Sequence, residues 1–162
     1  LLKLIGDFER IGDHAVNVIE SAEELHEKQL EFSRSAKYEL SVMSSAVCEV
    51  LDLAVKAFKD NDAQAAKAVE PLEQVVDDLK NELRTRHILR MKKGECSIEA
   101  GFVWSDLLTD LERASDHCSN IALCVLDMKK HTLSAHETQH EREDVPEFSD
   151  QYRRYSEKYA LP

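Results

Sequence analysis

Chain breakers are scarce: the 162 residues include only 4 glycines and 3 prolines. Sandwiches and barrels need frequent Gly and Pro turns between β-branched strands, so this scarcity nearly excludes an all-β fold. Aromatic residues are also few, at 6%, and a chain of this kind reads as a few long helices. Long apolar runs are missing too. The longest, Ile121 to Leu126, is far short of the ~20 residues that span a bilayer, so no insertion into the membrane by this chain is expected. The four cysteines (Cys48, Cys96, Cys118, Cys124) form no C-x-x-C pair, which reads as free thiols in a reducing compartment.

Positive charge is the minority sign. Lys and Arg number 21 against 32 Asp and Glu, a formal net charge of -11. Nucleic-acid binding rests on cations that neutralise phosphates, so DNA and RNA are excluded as expected partners. Docking through a basic face onto anionic lipid is opposed for the same reason. An acidic surface suits solubility and, where carboxylates cluster, divalent or trivalent cations. No signal peptide and no initiator Met open the chain, and LLKLIGDFER is already in helical phase. The expectation is a piece of a longer protein.

Helical periodicity predicts four long helices near 1–31, 36–60, 63–93 and 97–131, packed as an antiparallel all-α bundle. In the first, Leu4, Phe8, Ile11, Ala15, Val18, Ala22 and Leu25 alternate steps of four and three. In the fourth, Leu107, Leu111, Ala114, Cys118, Ile121, Val125 and Met128 do the same. Ser33, Arg34 and Ser35 read as the first connection, and Asp62 as the cap of the third helix. Pro71 should kink that helix or start a fresh turn. Gly94 after two lysines marks its end, and Ser97 can cap the fourth helix. Short connections make consecutive helices antiparallel neighbours. The bundle is assigned to residues 1–131. Residues 132–162 are assigned to a polar linker and a short helix after Pro146 with an aromatic stripe (Phe148, Tyr152, Tyr155, Tyr159).

The most informative feature is a repeat. DFERIGDHAVN (7 to 17) returns as DLERASDHCSN (110 to 120), so Asp7, Glu9, Arg10, Asp13, His14 and Asn17 recur as Asp110, Glu112, Arg113, Asp116, His117 and Asn120. Two helices with the same polar decoration imply an internal duplication. Glu9 and Asp13 are four apart and share a face, as do Glu112 and Asp116. The helical wheel turns Asp13, Asn17, Asp116 and Asn120 away from the apolar seams. That argues against a buried dimetal centre, which needs inward Glu and Glu-x-x-His. A solvated acidic face with Arg10 and Arg113 as ion partners is the plain alternative. Yet like charges at i,i+4 cost a few tenths of a kcal/mol, and keeping the pair in both halves points to a hard cation that offsets the cost. Carboxylates suit Mg, Mn, Ca or iron, with His as an added ligand.

A third pair, Glu73 and Asp77, lies about 27 Å before the Gly94 turn at ~1.5 Å per residue. Glu112 and Asp116 lie about 26 Å after the fourth helix opens. Antiparallel neighbours would hold these two pairs side by side.

DFERIGDHAVN and DLERASDHCSN resemble the signature of PhoU-type phosphate-regulatory proteins, and EQVVDDLKNELRTRHILRM (73 to 91) resembles that family's other motif-bearing helix. The resemblance covers about residues 1 to 130. It implies two three-helix bundles whose E(D)-x-x-x-D motifs hold metal clusters at the bundle surface. Helix one is then the last of the first bundle, and helices two to four are the complete second bundle. The implied ligands are Glu73, Asp77, Glu112 and Asp116 at one site and Glu9 and Asp13 at half of another. Asp110, His117, Asp7 and His14 are candidates for extra ligands. The ions would be divalent or ferric: iron, zinc, manganese or magnesium.

The tail, with its spaced aromatics and closing KYALP, is similar to the C-termini of bacterial sodium/phosphate cotransporter-type proteins, which carry a PhoU-like domain after their membrane helices. The expectation is therefore a regulatory, metal-binding domain at the cytoplasmic face of the cell membrane. Its partners would be a transporter portion of the same polypeptide or transporter subunits, with a homodimer as a further option. The alternatives are a free-standing PhoU-like regulator of a phosphate ABC transporter and its sensor kinase, or a scaffold without metal. A metal-dependent oxidase or hydrolase is disfavoured by the outward carboxylates. No nucleophile motif, catalytic set or phosphate-cradling glycine loop is visible, so no catalytic residues are expected. His136 and His140, four apart, read as linker before chelate, and Trp104 as a packing residue.

Overall fold

The computed structural model describes residues 2–133 and 144–162, and all its regular structure is helical: α1 (Leu2–Glu27), α2 (Arg34–Lys59), α3 (Ala63–Lys92), α4 (Ile98–Leu133) and α5 (Asp144–Lys158). The His-rich stretch with His136 and His140 lies outside the described residues.

Helices α2, α3 and α4 pack on one another as a three-helix bundle. Its core is built from Met43, Val50, Val69, Leu72, Val76, Leu83, Trp104, Leu108 and Val125, all essentially without solvent contact. Each side chain of this size contributes about 1.5–3 kcal/mol on burial, so the α2–α4 bundle holds the hydrophobic centre of the molecule. Trp104 is the packing residue expected, with Phe32 edge-on at 5.1 Å. Helix α1 does not lie along its sequence neighbour α2. It runs antiparallel along α4, and only Phe8 reaches a ring of α2, Phe58, at 5.2 Å.

Local chemistry explains the helix ends. Ser33 caps α2 by accepting from Ala36 N, so Arg34 and Ser35 belong to the helix and not to the connection. Asp62 accepts from Gln64 N and Ala65 N to cap α3, and Ser97 accepts from Ala100 N at the start of α4. Gly94, at φ +71°, ends α3 in the left-handed conformation that a Cβ disfavours. Helix α1 stops at Glu27, earlier than its periodicity predicts. Gln29 takes the left-handed position at φ 53°, and Leu30 N donates to Leu25 O to close the end. Helix α3 runs through Pro71 as one element, with no fresh start there.

Helix α5 starts two residues before Pro146, which occupies its first turn, where a missing N–H costs nothing. It packs on α3, where Tyr152 Oη donates to Asp78 at 2.6 Å. Tyr159 lies just past the helix end. It is buried, and its hydroxyl donates to Glu49 of α2. Phe148 is the outer end of the stripe and remains exposed.

Candidate metal centre and the α1–α4 interface

The carboxylates of α3 and α4 meet where the helical rise places them. One carboxylate oxygen from each of Glu73, Asp77 and Asp116 lies within 4.8 Å of the other two, and all three side chains are half-buried. The spacing follows from the antiparallel Gly94 turn together with i,i+4 projection from α3. Glu112, predicted as the fourth member, faces the same helix but is held by Lys80 at 2.8 Å, in a pair that is largely out of solvent. Arg113 stands at the rim, 3.6 Å from Asp116 and 3.8 Å from Glu112. Four carboxylates thus share the seam, three of them converging and one neutralised by a lysine.

The cost of this gathering is visible in the acids. Burial, followed by the charges of Asp77, Glu70 and Asp116, pushes Glu73 up to about 8. Burial and the neighbouring Glu112 and Asp116 also raise Asp77, while Lys80 pulls the other way. An arrangement of this kind binds protons or a cation in preference to standing fully ionised. The donor set is all oxygen, which suits hard ions.

Glu9 and Asp13 stand at the level of this seam but on α1, where both are exposed, and no third acid joins them among the described residues. The structure therefore does not bring them to the α3–α4 cluster.

The four candidates for extra ligands are committed elsewhere. His14 Nδ1 pairs with Asp110 Oδ1 at 2.8 Å, and His117 Nδ1 pairs with Asp7 Oδ1 at 2.9 Å. Asn17 Nδ2 donates to the same Asp110 oxygen at 2.9 Å, and Asn120 Nδ2 to the same Asp7 oxygen at 3.4 Å. Each repeat supplies the acceptor for the other repeat's His and Asn, and the two imidazoles stack with centroids 5.7 Å apart. Asp7 is buried, so this is an interior polar lock and not a decorated surface.

The lock corrects the helical wheel. Asn17 and Asn120 were placed away from the seams, yet they edge the α1–α4 interface, while Ala15 and Ala22 of the predicted seam are exposed. The buried side of α1 runs through Leu4, Asp7, Phe8, Ile11, His14, Val18, Ser21 and Leu25, a stripe that mixes apolar and polar residues. Apolar periodicity alone cannot find such a stripe. The signal that could have found it was the shared Asp, His, Asn spacing. Two antiparallel copies of that spacing bring each Asp opposite the other copy's His.

The PhoU domain family model matches residues 40–125, which span the motif-bearing parts of α3 and α4. A phosphate-specific transport system accessory protein PhoU homolog 1 from Thermotoga maritima is 31% identical over 121 residues, covering 75% of this chain and 51% of that protein. PhoU homologs from Deinococcus radiodurans and from Synechocystis are each 28% identical, again over 75% of this chain, and 56% and 53% of those proteins are covered. The chain thus spans about half the length of the curated relatives it matches. No solved structure matches it.

Proposed function

The chain belongs to the PhoU domain family, and from that premise we propose that it is a regulatory, metal-binding unit of a phosphate transport system that acts by contact with transporter subunits. The observation that carries this reading is the family match across 40–125, because that segment contains the three converging carboxylates. The relatives named above are accessory proteins by their names, which favours a free-standing regulator over the cytoplasmic end of a sodium/phosphate cotransporter. Helix α5 and its aromatic tail lie beyond the residues that match the family model. Among the described residues no helix is long and apolar enough to cross a membrane, so any tether of this unit lies in other sequence. Its place is the cytoplasmic face, where transporter subunits are reached.

The metal part of the proposal assigns Glu73, Asp77 and Asp116 as ligands of a hard divalent or ferric ion, with Glu112 joining when Lys80 gives it up. Support comes from the convergence within 4.8 Å and from the raised protonation of Glu73, which a bound cation would reverse. Glu9 and Asp13 form half of a second site, and no further ligand joins them among the described residues. The His and Asp residues of the α1–α4 lock hold helices together and are not assigned as ligands.

The test is co-purification. Tagged protein from phosphate-replete cells should recover subunits of a phosphate transport system, and Asp77→Asn with Asp116→Asn should reduce that recovery. Recovery unchanged in the double variant would remove the metal from the mechanism. Recovery of no transporter subunit under either phosphate condition would overturn the partner assignment. Apolar stretches of ~20 residues encoded directly upstream would restore the cotransporter reading.

A further inference from the structure

The turn between α3 and α4 gathers three soft donor atoms that the regulatory reading does not use. His87 and Met91 are four apart on α3 and share a face, and Cys96 follows Gly94 in the turn. Cys96 Sγ lies 3.8 Å from His87 Nε2. Gly101, on the facing turn of α4, packs directly against two of them: a Cβ there would sit 3.0 Å from Met91 Sδ and 3.1 Å from the same His87 nitrogen, so the missing side chain lets them come this close. The Met91 thioether and the His87 ring nitrogen thus both face Gly101, and the Cys96 thiol meets the same ring nitrogen.

The spacing fits one ion. Bonds of about 2.0 Å to nitrogen and about 2.3 Å to sulfur, opened to ~120°, separate the two donors by about 3.7 Å. The ring is also fixed in place, with His87 buried and stacked on Trp104 at 5.4 Å between centroids. Its Nε2 faces the Cys96 thiol, and its Nδ1 is buried without a hydrogen-bond partner. Burial and the nearby Arg90 lower the His87 pKa, which keeps the imidazole neutral and a lone pair free. Met91 and Cys96 are only half-buried, which gives an ion a way in.

Charge selects the ion. Arg90 lies over the Trp104 ring at 5.2 Å and is already matched by buried Glu39 at 2.7 Å. A monovalent ion on one thiolate is neutral overall. A divalent ion on one thiolate would leave a net positive charge beside Arg90. Thiolate and thioether donors favour Cu(I) over hard cations.

We infer that His87, Met91 and Cys96 form a binding site for a monovalent soft metal ion of the Cu(I) class. On binding, the Cys96 S–H bond breaks, its proton goes to solvent and a sulfur–metal bond forms. The ion arrives already reduced, so no electron is transferred. The site is separate from the carboxylate seam in both place and donor chemistry.

Anaerobic titration of the full chain with Cu(I), against a chromogenic Cu(I) chelator, should show one ion bound per chain and an ultraviolet thiolate-to-metal charge-transfer band. Cys96→Ser and Met91→Leu keep the local shape and should each weaken binding by at least about tenfold, since even outer-shell partners carry that much. Gly101→Ala, whose Cβ would press on Met91 Sδ and His87 Nε2, should weaken it too. Cys48→Ser removes an exposed thiol and should change nothing, and excess Mg should not compete. Failure to compete with the chelator would overturn the inference. So would full binding by Cys96→Ser, or loss of binding in Cys48→Ser, because either would put the ion on another thiol.

Discussion

The two copies of the repeated motif carry the same polar residues in different surroundings. The copy on α4 lies between α1 and α3, so its Asp116 meets Glu73 and Asp77 and its Glu112 meets Lys80. The copy on α1 packs mainly along α4, with Phe8 touching Phe58 of α2, and its Glu9 and Asp13 are exposed. The Asp, His and Asn of the motif nevertheless behave alike in both copies, each Asp holding the other copy's His and Asn. The motif is therefore two devices written over one another. One joins two repeats and needs nothing else. The other needs a third helix, and its properties depend on what that helix brings.

The largest effect should come from metal. If the carboxylate seam binds a hard ion, saturation at a hundred times the dissociation constant adds about 2.7 kcal/mol of stability. Melting curves with Mn, Mg, Zn or ferric ion should shift upward for the wild type and for Asp13→Asn. They should not shift for Asp77→Asn combined with Asp116→Asn. An equal shift in all three proteins would erase the distinction between the two copies.

Next in size is the lock. Asp110→Ala strands His14 and Asn17, and Asp7→Ala strands His117 and Asn120. Each should cost about 2 kcal/mol in urea unfolding, the range for a charged hydrogen bond whose partner is left behind. Near-equal losses would support reciprocity. A double-mutant cycle on His14 and Asp110 that shows no coupling would contradict the pairing.

The pH dependence of the metal-free protein has a definite sign. Glu73 is pushed up from 4.5 to about 8, so the folded state holds its proton where the unfolded chain has lost it. Its contribution is fully present below pH 4.5 and is lost as pH rises from there to about 8, in the absence of metal. Asp77, raised for similar reasons, adds in the same direction. Glu73→Gln should flatten this part of the profile, while Glu9→Gln should leave it intact. The smallest effect belongs to α1: Asp13→Asn removes an i,i+4 repulsion with Glu9 and should stabilise by a few tenths of a kcal/mol.

Much of this was legible in the sequence, and the exceptions have physical causes. The helices and the level of the three acid pairs follow from periodicity and rise, so the meeting of Glu73, Asp77 and Asp116 could be anticipated. The diversion of Glu112 to Lys80 could not, because a lysine one turn beyond Asp77 looks like any solvated cation. The partnership of α1 with α4 was hidden for a different reason. Its interface is held by Asp7 and His14 as much as by Leu4 and Ile11, and a wheel centred on apolar residues turns such a helix the wrong way. The early end of α1 was obscured because Gln29, not a glycine, takes the left-handed position. Nor does spacing in the sequence bring Met91 and His87 to Gly101 or Cys96 to His87, because only the closed turn does so.

The reciprocal contact between α1 and α4 also bears on ancestry. Each helix carries both the acceptor and the donors of the same joint, so the joint is its own complement under a half-turn, as in an isologous dimer interface. An unduplicated ancestor with one such helix could have closed on a second copy of itself through the same four bonds. Fusion of the two genes would then have preserved the joint without altering a residue of it. After fusion the acidic positions of the two copies were free to diverge in their surroundings, while the Asp, His and Asn that hold the halves together had to be kept in step.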